Sequence, residues 1–215
     1  MDTDTRRYIP PTAEEHARFL ASFLFGGEMY PTLKDCVRRA YLDLSRTVYG
    51  INRDGVAKTL RRSSHDRVQR LLTEATQSDQ SWRVESFDGW HHCACLQIID
   101  HFREGGYPTF YVGQAQKWIN MAIKYALTLQ PVGMLSVAHA ASLRQVAHVP
   151  IDNFILDALK PLGVKPIAVA WSRIDHYDEY MAYQNQIRLR FQSSTALDVE
   201  FREWISEARR RRISS

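Results

Sequence analysis

Gly113-Gln-Ala-Gln-Lys117-Trp-Ile-Asn-Met-Ala-Ile-Lys124-Tyr is the stretch on which the fold class turns. A glycine turn opens it, and the rest reads as an apolar helix with a lysine in its first turn. Ile119, Ala122, Ile123 and Ala126 give that helix its apolar surroundings. Lys117 and Lys124 are seven positions apart and therefore lie on nearly one face. The second informative stretch is His148-Val-Pro-Ile-Asp152-Asn-Phe, whose aspartate stands thirty-five positions after Lys117. Proline keeps its approach extended, and Asp152 then accepts hydrogen bonds from the first free amides of another helix. Each residue also has a plainer reading: a helix-surface lysine that snorkels to water, and an ordinary N-cap.

Working outward, the same helical spacing recurs along the chain. Thr12-Ala-Glu-Glu has the form of a capping box before Phe19, Leu20, Phe23 and Leu24, closed by Gly26-Gly27. Thr32 to Tyr49 repeats Val37, Ala40, Tyr41, Leu44 and Val48 and stops at Gly50. Asp54 is expected to cap a helix through Leu60, with a separate one from Ser64 to Ala75. Gln77-Ser-Asp-Gln-Ser reads as a polar connector. Phe87 to Phe102 follows as an amphipathic helix closed by Gly105-Gly106-Tyr-Pro. Beyond the Gly113 helix, which ends near Leu129, we expect helices at Ser136 to Gln145, Asn153 to Leu159, Ser172 to Phe191 and from Thr195 onward. A brief extended piece is expected at Val164 to Val169. The expectation is one all-α domain over 1–215, with an N-terminal helical part (1–80) and a candidate catalytic part (81–215). Its helices would pack as two lobes with a cleft between them.

Composition sets limits on class. The chain has 215 residues, 45% hydrophobic and 24% charged, enough for a substantial core. No apolar run approaches the roughly 18–20 residues that cross a bilayer, and the N-terminus lacks a signal peptide's apolar stretch. A soluble, cytoplasmic protein without a membrane partner is the expectation. Three cysteines argue against a disulfide framework. The net charge of +4 is compatible with nucleic acid, the more so because Lys58, Arg61, Arg62, Arg67 and Arg70 cluster, as do Arg209 to Arg212.

Gly-x-x-x-Lys opening an apolar helix, followed by Pro-Ile-Asp at a helix start, resembles the helix-hairpin-helix DNA glycosylases. The likeness is to their compact archaeal-type 8-oxoguanine branch and covers residues 107–160. It implies a helix-hairpin-helix-like fold and a DNA partner carrying a damaged or modified base. It also implies that Lys117 attacks the sugar C1′ and forms a Schiff base while Asp152 assists nucleophile and cation. Trp118, Phe110, Tyr111 and Trp171 would line the pocket for an extruded base, and His148 would orient Asp152. Gly113, Gln114 and Gln116, with Arg61 and Arg62, would meet the DNA backbone. No cofactor or metal is expected. Tyr111-Val-Gly-Gln-Ala-Gln has one glycine where the family carries Leu-Pro-Gly-Val-Gly, and three cysteines cannot hold a four-cysteine iron–sulfur cluster.

Other constellations point elsewhere. His91, His92, Cys93 and Cys95 diverge around one helix, and no second ligand pair with zinc spacing exists, so one of the cysteines is expected in the core. Arg62-Ser-Ser-His65 and Arg144-Gln-Val-Ala-His148 resemble the arginine–histidine pairs of small helical ribonucleases at too short a spacing. Tyr180, Tyr183 and Ile187 form a packing stripe on a helix expected to close one wall of the cleft. The functional expectation is a lysine-dependent DNA glycosylase, with AP lyase activity as an extension. The alternative is a non-catalytic helical binding protein of bacterial defence or of an assembly, and an arginine–histidine ribonuclease is a third option.

Overall fold

The computed structural model describes residues 10–49, 55–77 and 81–214, and every regular element among them is helical. The order is α1 (Ala13–Leu24), α2 (Leu33–Leu44), α3 (Val56–Gln77), α4 (Val84–Glu104), α5 (Val112–Thr128), α6 (Val137–Val146), α7 (Asn153–Leu159), α8 (Tyr177–Arg190) and α9 (Ala196–Ser214). The chain is all-α, and one continuous hydrophobic cluster runs from Ala21 to Val199. No described helix is long and apolar enough to cross a membrane.

The centre is α5. Only Lys124 and Thr128 of its residues escape burial, because α2, α3, α4, α8 and a turn at Trp171–Arg173 all pack against it. A helix enclosed on all sides reads as more than an amphipathic stripe. Trp118 shows how tight the enclosure is: it is fully buried between the rings of Tyr41 and His65, and its indole N–H donates to the Val37 carbonyl at 3.0 Å. Phe110, just before the helix, stacks flat on Phe102 at 3.8 Å between centroids.

Several boundaries differ from the sequence reading, each for a local reason. The predicted break between two helices near residue 60 is absent, and α3 runs unbroken. Ser63 and Ser64 turn their hydroxyls back onto the Leu60 carbonyl, at 3.0 and 2.7 Å, and so fit inside the helix. Asp54, the expected cap, lies outside the described residues, as does most of the polar connector after Gln77. Val164 to Val169 finds no strand partner among the described residues and forms no ladder.

The helix expected from Ser172 starts only at Tyr177. The Ile174 carbonyl accepts the Gly113 amide at 2.9 Å, which holds residues 174–176 out of the helix. Gly113 itself lies within the first turn of α5, whose N-cap is Tyr111. It is glycine because of a close approach: a Cβ there would lie 1.8 Å from the Trp171 carbonyl oxygen.

That approach makes Gly113 a test of the packing. Alanine gains up to about 1 kcal/mol of helix propensity over glycine. Here the clash is with backbone, which cannot rotate away, and overpacking costs typically 1–3 kcal/mol beyond what is gained. Gly113→Ala is therefore expected to be net destabilising by about 1–3 kcal/mol, measured as a lower denaturation midpoint in urea at an unchanged slope.

Candidate functional site

Lys117 and Asp152 meet. The Lys117 Nζ donates to Asp152 Oδ2 at 2.7 Å, and the two side chains are 5% and 17% exposed. Asp152 is at the same time the N-cap of α7, with its Oδ1 accepting the Ile155 amide at 2.9 Å. One carboxylate oxygen thus holds the helix start and the other holds the amine.

The placement of Asp152 depends on how residues 147–151 are held. All five are buried, so their backbone groups need partners inside the protein. Two buried glutamines supply them. Gln116 on α5 accepts the Ile151 amide and donates to the Ile151 carbonyl, both at 3.1 Å. Gln184 on α8 does the same for Val149, at 3.0 and 2.8 Å. Each primary amide imitates a neighbouring strand's peptide unit, while Pro150 has no N–H to satisfy.

A buried polar relay continues from Gln116. Asn120 donates to Gln116 at 3.1 Å and to the Tyr180 hydroxyl at 2.9 Å, and its carbonyl oxygen faces His91 Nε2 at 3.0 Å. The Tyr180 hydroxyl meets His148 Nδ1 at 2.7 Å, and His148 Nε2 meets Asp88 Oδ1 at 2.7 Å. Arg188 closes the chain with a two-pronged contact to Asp88, each arm 2.7 Å. The Asn120 and Asp88 oxygens can only accept, which assigns the Nε2–H tautomer to both histidines. Burial lowers the pKa of His91 and of His148, which favours their neutral forms. Burial pushes the Asp88 carboxyl up, but Arg188 and His148 outweigh it and hold it well below the usual carboxylate range.

The pair opens onto a cleft of about 550 Å³ between α2, α5, α9 and the start of α7. Trp171, Phe154 and Trp204 line it, and the last two stack with centroids 5.3 Å apart. Arg39, Arg46 and Arg211 also line it, the last lying over the Phe154 ring at 4.0 Å. A second ion pair sits in the same cleft: Lys124 Nζ lies 2.8 Å from Glu200 Oε1 and 2.7 Å from Oε2. Only the first contact has hydrogen-bond geometry, leaving Oε2 charge-neutralised but without a hydrogen bond. Burial pushes the Glu200 carboxyl up against the opposing pull of Lys124.

Measured against the sequence reading, Lys117, Asp152 and Trp171 share this cleft, and several other expected residues do not. Trp118 and Phe110 are core aromatics, at 0% and 1% exposure, and offer no face to a base. Tyr111 is half-buried at the N-cap of α5 and does not line the cleft. His148 turns to Asp88 and Tyr180, so it does not orient Asp152 directly. Gly113 gives its amide to Ile174, Gln114 is tied to the Thr47 carbonyl at 2.8 Å and Gln116 to Ile151. None of the three is available to a phosphate. Arg61 and Arg62 stand on α3, outside the residues lining the cleft. His65 packs on Tyr41 and Trp118, away from any arginine–histidine site with His148, and burial lowers its pKa to about 4. Cys95 is buried and Cys93 exposed. No group of three or more His, Cys, Asp or Glu that could hold a metal occurs among the described residues.

The residues that sequence reasoning missed are Lys124, Glu200, Phe154 and Trp204 at the cleft, with Gln184, Asn120 and Asp88 behind it. One signal was present: Gln114, Gln116 and Asn120 are polar residues inside an otherwise apolar helix. Such residues need buried partners.

Two measurements probe this arrangement. Asp152→Asn keeps an N-cap acceptor and Asp152→Ala removes it, so the alanine variant is expected to be less stable than the asparagine one by about 1 kcal/mol. The neutral histidines set an acid sensitivity. Folded-state values below the ordinary pKa of about 6.5 mean that the unfolded chain binds protons first. The stability they contribute is complete above that value and falls as pH drops. With His65, held at about 4, these lowered values make stability fall between pH 7 and 5.5, to be read from urea unfolding at both pH values. Comparison with family models, with curated proteins and with solved structures finds no match to this chain.

Proposed function

We propose that the protein is a lysine-dependent DNA glycosylase with associated lyase chemistry, acting on a damaged or modified base. The observation that carries this reading is the 2.7 Å contact between Lys117 and Asp152 at the wall of an aromatic-lined cleft. Displacing a base from C1′ needs an amine that can shed its proton, an acceptor for that proton and a negative charge beside the developing sugar cation. Lys117 supplies the first; the Asp152 carboxylate supplies the second, and becomes the third once it has passed that proton on to the departing base. As the Nζ–C1′ bond forms, the glycosidic C1′–N bond breaks. The base leaves with that electron pair and takes up one proton. Opening of the sugar ring then gives a Schiff base on Lys117.

The surroundings fit a polyanion that delivers an extruded base. Trp171, Phe154 and Trp204 are half-buried flat side chains at the cleft, and Arg39, Arg46 and Arg211 lie beside them for backbone phosphates. Trp171 keeps its assigned part, and on this reading Phe154, Trp204, Arg39, Arg46 and Arg211 stand in for Trp118, Phe110, Arg61 and Arg62. A non-catalytic binding protein is the second reading. It is favoured by the double use of Asp152, since a carboxylate that caps α7 and ties down α5 is a complete structural device.

Borohydride trapping on duplexes that each carry one modified base separates the two. Wild type is expected to form a covalent adduct with at least one duplex. Lys117→Gln is expected to form none, and Asp152→Asn is expected to lose about 10²-fold or more in base release. Absence of adduct and of base release across the panel, with a folded wild-type protein, would leave the structural reading.

A further inference from the structure

The cleft holds two lysine–carboxylate pairs, and the displacement chemistry uses one. Lys124 and Glu200 line the same cavity as Lys117 and Asp152. Lys124 follows Lys117 by two helical turns, about 10.5 Å along the axis at the usual rise per residue. That separation leaves room for one nucleobase between an amine at its sugar carbon and a partner at its far edge. The far end is built for a flat polar ring. Lys124 Nζ sits 4.5 Å from the Phe201 ring centre and 5.7 Å from that of Trp204, which holds it in place. Trp204 in turn stacks with Phe154.

Both Glu200 oxygens contact the ammonium, yet Oε2 has no hydrogen bond, and the residue is 1% exposed. Oε2 is paired in charge but outside hydrogen-bond geometry, so it retains acceptor capacity. A donor brought in by a ligand would satisfy it.

On the glycosylase reading above, we infer that Lys124 and Glu200 are the specificity pair and read a lactam edge on the extruded base. Lys124 donates to the ring carbonyl oxygen, and Glu200 accepts the adjacent ring N–H. An ammonium is best matched by a carbonyl oxygen, the strongest acceptor on a base edge, and a carboxylate by a ring N–H. A base methylated at that nitrogen presents a methyl group to a buried carboxylate, and a site built for a hydrogen bond rejects an analogue that lacks it. Trp204 and Phe154 contribute stacking that tolerates any ring, so selection falls to the charged pair.

The test compares wild type, Glu200→Gln and Lys124→Arg. The substrates are duplexes carrying single lactam bases (hypoxanthine, uracil and 8-oxoguanine), the N1-methylated form of hypoxanthine, and a preformed abasic site. Lys124→Arg keeps the charge pair and serves if Glu200→Gln fails to fold, as judged by thermal melting. Expected is excision of a lactam base by wild type, with about tenfold or greater loss in each folded variant. Borohydride trapping at the abasic site, which needs only Lys117, should be unchanged. Excision unaffected in the variants, wild-type preference for the N-methylated base, or equal loss of abasic trapping would each overturn the inference and leave the glycosylase reading standing. A wild type that excises nothing and traps nothing at the abasic site removes the glycosylase reading, and this inference falls with it.

Discussion

A helix that is buried on every side cannot leave any polar group without a partner, and α5 carries four such groups, Gln114, Gln116, Lys117 and Asn120, among its buried residues. Each is answered from outside α5. Gln114 draws in the turn after α2 through Thr47, Gln116 draws in Ile151, Lys117 draws in Asp152, and Asn120 draws in His91 and Tyr180. The apolar cluster supplies most of the favourable burial, but it would tolerate many arrangements of similar shape. The polar partners of α5 select one.

The same requirement builds the cleft. Residues 147–151 would be a poorly determined loop if only their side chains were packed. Gln116 and Gln184 fix them through the backbone, and Asp152 follows at a defined distance from Lys117. His148, expected beside Asp152, stands on the opposite flank, where it couples the segment to the Asp88–Arg188 pair. It positions the approach to Asp152 rather than the carboxylate itself.

Much of the helical order was legible in sequence because caps and periodicity are local. The Thr12 box, the Ser136 cap and the Asp152 cap all stand where their residue types place them. Most of what escaped was set by distant partners, with α3 the local exception. The late start of α8 follows from a hydrogen bond between Ile174 and Gly113, and the continuity of α3 follows from two serines folding back on their own helix. The Lys117–Asp152 contact could be suspected, since both stretches open helices. The Lys124–Glu200 contact could not, since nothing near residue 200 announces a partner 76 positions earlier. Trp118 was misplaced for a related reason: an aromatic next to a candidate lysine lies about 100° around the helix from it, and on α5 that direction is also core, while Phe110, before the helix, is taken up by its stack on Phe102.

The two lysines of α5 are joined to carboxylates that the ribosome delivers much later, at sequence separations of 35 and 76. Contacts of that span are entropically slow to close and form after local helices exist. During synthesis the residues of α5 therefore leave the ribosome before either of their counter-charges. Emergence of α7 supplies the first carboxylate, and only the arrival of α9 supplies the second and walls the cavity. The cleft is in this sense a late product of the chain, since the α9 residues that wall it are synthesised after the rest of its lining.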